Sequence, residues 1–362
     1  MRKLSVWLLS VLLAVVTAQA QAFSALYVFG DSLSDNGNNQ AFLVNFLHLP
    51  ATVAPYQVPG SSEPRVPTTP YAVPAGTHTY SNGPVWVDYL AGALGLPLGP
   101  SALGGTNYAY GGARTGDLGL GDGNGDQPFS VRTQVDLALG LPPASLPGDA
   151  LYVVWGGGND IRALGAQLGP MLASPDAAVR AQAAAALQAG IGAGIINLGK
   201  TLGSLANAGA RNFLIPNIPD IGITPIARFL EASGQPGTMD LLTGLSLAFN
   251  QGLTALLTPM QNNPLFNITP LDIFAFNHAV LANAPPGYNA TEACTSENLF
   301  MGCSNPENFL YWDGVHPTTA SHQAIASLAL AALQPVPVPA SLPLAMGGLV
   351  VLLGVARRRR AA

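Results

Sequence analysis

Five short apolar runs constrain this chain more than any other feature, because most of them stop abruptly at glycine or asparagine. They cover residues 26–29, 107–110, 151–155, 213–216 and 268–273, and their length and β-branched or aromatic content predict strands. Residues 176–210, rich in Ala, Leu and Ile, separate the third run from the fourth and read as a helix. A second helical stretch, 239–260, separates the fourth from the fifth. A third, 318–333, closes the body, with Pro317 in a first-turn position. Strands alternating with helices predict an α/β fold with a mostly parallel central sheet covered on both faces. In such sheets, sites form at the carboxyl ends of the strands. The Pro/Gly-rich segments 50–76 and 116–128 read as long surface loops on a single domain, and no internal repeat is present.

The two ends of the chain read as addresses rather than as fold. Arg2 and Lys3 precede an apolar stretch over 4–16, and small residues around Ala20 and Ala22 offer a cleavage site, so residues 1–22 are expected to be a signal peptide. The body of the chain is expected to be 23–333. A Pro-rich linker, 334–341, follows it, and 342–362 combines an apolar helix with Arg357 to Arg360. Linker, short apolar helix and Arg tail resemble the PEP-CTERM sorting signal of exported Gram-negative proteins, with Val338 where glutamate is usual. That resemblance implies signal peptidase and an exosortase as processing partners, and membrane contact through the C-terminal helix, either passing or permanent. The body is then expected outside the cytoplasm, in the periplasm, at the cell surface or beyond.

Charge narrows the partners. The end segments hold six of the 14 basic residues and none of the 19 acidic ones, so the body carries a net charge of −11. A body that acidic argues against nucleic acid. Cys294 and Cys303 lie close together in a chain read as exported, which predicts a disulfide rather than a metal pair. Asp122, Asn124 and Asp126 alternate as in a calcium loop, but no distal glutamate completes one, and a solvated acidic loop is the better reading.

Four blocks carry residues suited to chemistry. Gly30-Asp31-Ser32-Leu33-Ser34-Asp35 follows the first strand and presents Ser32 at a sheet edge, with Ser34 as the competing hydroxyl. Gly111-Gly112 follows the second strand. These glycines serve either a tight backbone turn or an amide N–H aimed at a developing oxyanion. Gly156-Gly157-Gly158-Asn159-Asp160 follows the third, and Asn159 is either a helix cap or an amide donor to negative charge. Asp313-Gly314-Val315-His316-Pro317 supplies a base with an acceptor three residues before it. His322 is the alternative base, but its place in the last helix reads as surface. His48, His78 and His278 have no motif around them.

In this order the four blocks, Gly-Asp-Ser-Leu, Asn-Tyr-Ala-x-Gly-Gly-Ala, Gly-Gly-Asn-Asp and Asp-x-x-His-Pro, resemble the GDSL (SGNH) hydrolase family over roughly residues 24–333. The resemblance implies a flavodoxin-like three-layer α/β/α fold and ester hydrolysis through an acyl-enzyme. By motif position, Ser32 would be the nucleophile, His316 its base and Asp313 the partner of that base. The Ser32 amide, Gly112 and the Asn159 side chain would form the oxyanion hole, with Gly111 open as the alternative to Gly112. No cofactor and no metal are expected. The substrate would be a lipid, or an acylated small molecule or polysaccharide. Two other readings stand beside this: a carbohydrate O-acetylesterase of the same fold, and a catalytically silent surface or matrix protein.

Overall fold

Strands β1 (Leu26–Gly30), β2 (Leu151–Trp155) and β3 (Asn212–Pro216) are built largely from Val, Leu, Ile and aromatic residues, and β2 and β3 are buried along their whole length. The computed structural model describes residues 23–41, 79–118, 129–140, 144–295 and 303–334. With β4 (Asn267–Leu271) the strands form a parallel sheet in the order β1-β2-β3-β4, in register from Leu26 opposite Leu151 to Pro216 opposite Leu271. Continuous apolar strands suit a sheet covered on both sides. β4 is more exposed and carries Pro270, which an edge strand tolerates because one row of its N–H groups has no partner to serve.

Alternate side chains divide the sheet between two cores. Phe29, Tyr152, Val154, Phe213 and Ile215 face one core. It is covered by α2 (Val131–Leu139), α3 (Gly158–Leu172), α4 (Ala177–Asn207) and α6 (Thr238–Gln261). Val28, Leu151, Val153, Trp155 and Leu214 face the other core. Here α1 (Trp86–Leu94), α7 (Ile273–Ala282) and α8 (Thr319–Leu333) close the layer. The architecture is the three-layer α/β/α arrangement expected. The short α5 (Pro225–Ala232), opened by the Thr224 hydroxyl and a first-turn proline, lies between β3 and α6 in sequence.

Several local expectations need correction. Residues 107–110 are not a strand; Asn107 makes one parallel bridge to Val28, and Tyr108 N–H donates to Val28 O at 2.7 Å. The segment stays beside β1, with Tyr110 N–H donating to Gly30 O at 3.2 Å, but the ladder is interrupted because the Gly30 N–H goes to Gln134 Oε1 at 2.8 Å. The fifth run ends at Leu271, since Asp272 caps α7 by accepting Ala275 N–H at 2.9 Å. The last helix starts at Thr319, with Thr318 rather than Pro317 at its entrance: the Thr318 hydroxyl accepts Ser321 N–H. A small second sheet also escaped the sequence reading. β5 (Asn289–Ala293) pairs with β6 (Phe309–Tyr311), and the Cys294–Cys303 disulfide, with Cα atoms 5.1 Å apart, sits at its end. The expected signal peptide, the expected linker and C-terminal segment from residue 335 on, the expected loop over 50–76, most of 116–128 with Asp122 to Asp126, and His48 and His78 lie outside the described residues.

Candidate active site

β1 delivers Ser32 to the carboxyl edge of the sheet through a fixed turn. Gln134 holds Gly30 from both sides, accepting its N–H at 2.8 Å and donating to its carbonyl at 2.7 Å. A side chain at Gly30 would place Cβ 2.7 Å from the Trp155 carbonyl, so only glycine allows β1 and β2 to pair this closely there. Asp31 then closes the turn: its carbonyl accepts Ser34 and Asp35 N–H, each at 3.0 Å, and its Oδ1 accepts Leu33 N–H at 3.0 Å. Ser32 sits on that turn with its Oγ 2.8 Å from His316 Nε2. Ser34, the competing hydroxyl, is completely buried and accepts the Trp86 indole N–H.

Asp313 and His316 belong to a tight loop after β6. Asp313 Oδ1 accepts the N–H groups of Val315 and His316 at 2.9 and 2.8 Å, which folds the loop. Its Oδ2 lies 2.8 Å from His316 Nδ1, so one carboxylate both shapes the loop and orients the ring. The His316 carbonyl in turn accepts Trp312 N–H at 2.7 Å. Residues 79–84 fasten this loop from outside. Ser81 donates to the Pro317 carbonyl at 2.8 Å, Asn82 accepts Thr319 N–H at 2.8 Å, and the Tyr80 ring lies 5.3 Å from the His316 ring. The sequence reading gave these residues no role; nothing in a polar run ahead of α1 marks it as a neighbour of a residue more than 230 positions away.

Asn159 is not the cap of the helix it opens. Gly157, at φ 122°, occupies that position, and Asn159 stands within the first turn of α3 with its Nδ2 donating to the Ala113 carbonyl at 3.0 Å. Arg162 approaches its Oδ1 at 3.4 Å. The glycines before it answer to packing: a Cβ at Gly156 would meet Val131 at 2.8 Å, and one at Gly157 would meet Phe249 at 2.5 Å. Gly111 and Gly112 differ. The Gly111 N–H is committed to Asp35 Oδ2 at 3.0 Å, and a Cβ there would run into the Tyr80 ring. Gly112 adopts φ 80°, and its amide has no acceptor among the described residues, as is also true of the Ser32 amide.

Three buried carboxylates surround these groups. Burial pushes Asp31, Asp35 and Asp160 up to about 6, against the N–H and O–H groups that stabilise their charge. For Asp31, the nearby His316 pulls down and Asp160 pushes up. His322 is the clearest miss. It is completely buried, since it shares the inward face of α8 with Ile325, Ala326 and Ala329 at helical spacing. Neither ring nitrogen has a partner among the described residues, and burial, with His316 adding, brings its pKa down to about 3. Such an imidazole is neutral, whereas the Ser32 hydroxyl contacts His316. His278, on α7, contacts the buried Asp220 at 2.9 Å. Among the described residues, no group of three or more His, Cys, Asp or Glu side chains is placed to hold a metal.

The family model described as GDSL-like Lipase/Acylhydrolase matches residues 26–329. Lipase 1 of Photorhabdus luminescens is 30% identical over 62% of this chain, which spans only 27% of that longer protein. A GDSL esterase/lipase of Arabidopsis thaliana is 26% identical over 86% of each chain. Acetylajmalan esterase 2 of Rauvolfia serpentina is 26% identical, over 84% of this chain and 88% of its own.

Proposed function

The chain belongs to the GDSL-like lipase/acylhydrolase family, and from that membership we propose that it hydrolyses carboxylic esters through an acyl-enzyme on Ser32. The observation that carries this reading is the continuous contact Ser32 Oγ–His316 Nε2–Nδ1–Asp313 Oδ2, 2.8 Å at each step. A neutral His316 takes the Ser32 proton on Nε2 as Oγ attacks the ester carbonyl. Asp313 holds the Nδ1–H tautomer and stabilises the imidazolium that forms. The carbonyl oxygen becomes an oxyanion held by the amides of Ser32 and Gly112 and by Asn159 Nδ2. Gly112 is favoured over Gly111 because the Gly111 N–H is already given to Asp35. His316 then protonates the departing alkoxide. Water, deprotonated by His316, attacks the acyl-enzyme and releases the acid and free Ser32.

The chain ends and the disulfide support a place of action outside the cytoplasm. An N-terminal signal, a C-terminal sorting segment and a Cys294–Cys303 bridge are all suited to an exported protein. Signal peptidase and an exosortase would process it, and the C-terminal helix would contact the membrane.

The test is hydrolysis of p-nitrophenyl esters from acetyl to palmitoyl. Wild type should show turnover and label with a fluorophosphonate, while Ser32→Ala should do neither and keep the wild-type melting temperature. Turnover by Ser32→Ala would overturn the assignment. The intact mass of the exported protein reads processing directly: loss of the segments before residue 23 and after the linker is expected, and a full-length mass would refute it.

A further inference from the structure

Two buried carboxylates that the hydrolytic steps do not use hold the same backbone segment. Asp35 lies just after Ser32 and is completely buried. Its Oδ1 accepts the N–H groups of Gly37 and Asn38 at 2.9 and 2.7 Å, and its Oδ2 accepts Gly111 N–H at 3.0 Å. Asp160 follows Asn159 and is equally buried. It accepts Thr115 N–H at 3.0 Å and the Thr115 hydroxyl. Between the two held residues lie Gly112, with its uncommitted amide, and Ala113, whose carbonyl takes the Asn159 Nδ2–H. We infer that Asp35 and Asp160 are positioning residues of the oxyanion site, tying the two ends of segment 111–115 to the blocks that carry Ser32 and Asn159. This rests on the ester-hydrolase reading and on the oxyanion donors named there.

The choice of aspartate follows from what faces it. Asp35 meets only donors, because Asn39 N–H also points at its Oδ2 at 3.3 Å. An asparagine there would set its NH₂ against one of these N–H groups and release either the helix start at 37–39 or Gly111. Keeping both carboxylates buried costs ionisation free energy, as their raised pKa values show, and groups held at such a cost concentrate at functional sites. Their charge also opposes an oxyanion nearby. Neutralising them would therefore raise turnover if only the field mattered, whereas loss of position lowers it. The sign separates the two effects.

Asp35→Asn and Asp160→Asn test this, with kcat expressed per Ser32 titrated by a fluorophosphonate. Each should lower that kcat about tenfold or more while KM moves less than about threefold. The inhibition constant of a phenylboronic acid, which mimics the tetrahedral adduct, should rise by the factor by which kcat/KM falls. A merely structural role would lower the titratable fraction or the melting temperature and leave kcat per titrated site unchanged; that result, or a rise, overturns the proposal. Should the aspartate variants fail to fold, Thr115→Val removes only the hydroxyl contact to Asp160 and should lower kcat per site about threefold or more. No change there also overturns it. A wild type that neither labels nor turns over any ester would instead defeat the hydrolase reading beneath.

Discussion

The Ser34 hydroxyl accepts the Trp86 indole N–H at 3.0 Å inside the core, while Ser32, two residues earlier, keeps its hydroxyl on His316. One turn thus carries a serine committed to the core and one that contacts His316. Ser34→Ala should leave Trp86 Nε1 buried without an acceptor and cost about 1–3 kcal/mol in urea denaturation. Its kcat should stay within a few-fold of wild type, in contrast to the complete loss with Ser32→Ala.

Asn159 should act on the transition state rather than on the ground state. Asn159→Ala should lower kcat on the order of 100-fold with KM little changed. Labelling of Ser32 by a fluorophosphonate should still go to completion, more slowly. A KM effect with unchanged kcat in steady-state assays would remove Asn159 from the oxyanion site.

His322 should tie stability to pH. Its folded pKa lies near 3, below the ordinary 6.5, so its contribution is present above about pH 6.5 and is lost as pH falls toward 3. Asp31, Asp35 and Asp160, raised from 3.8 to about 6, act in the opposite sense: their contribution is present below about pH 4 and lost as pH rises through 6. Replacing His322 by leucine removes the first effect alone. Between pH 6.5 and 4.5 the variant should lose about 2 kcal/mol less than wild type, read from urea midpoints at the two pH values.

The disulfide should stabilise the approach to the catalytic loop. Cys294 N–H donates to the Tyr311 carbonyl at 3.0 Å and Thr295 N–H to that of Trp312 at 2.9 Å, directly before Asp313. Closing so short a loop is worth about 2–3 kcal/mol. Cys294→Ser/Cys303→Ser, or reduction of wild type, should lower stability by that amount in denaturant titrations; an unchanged midpoint would show that the bridge is dispensable.

Much of the candidate site was local enough to read directly. Asp313 reaches His316 across two intervening residues, and a strand followed by Gly-Asp-Ser can present a serine, so these assignments needed only neighbouring sequence. The buried strands β1, β2 and β3 were legible for the same reason, because a continuous apolar run has few other uses. What failed depended on distant partners. His322 looked like a surface residue because single-residue polarity outweighed the spacing to Ile325, Ala326 and Ala329 that buries it. Residues 107–110 run beside β1 yet make only a bridge to it, because distant Gln134 takes the Gly30 N–H that a continued ladder would use.

The sequence by itself determined the alternating α/β plan, the candidate residue types at Ser32, Asp313 and His316, and the tight loop that pairs the last two. Tertiary structure alone decided that Ser32 and His316, 284 residues apart, come within 2.8 Å. It does so by packing α1 with α8 on one face of the sheet and by fastening Pro317 and Thr319 to Ser81 and Asn82. It also decided which serine faces His316 and which glycine amide has no acceptor among the described residues, through Trp86 and Asp35. Those choices turn on hydrogen-bond partners tens of residues away, and a buried donor takes whichever acceptor the packed chain brings within about 3 Å.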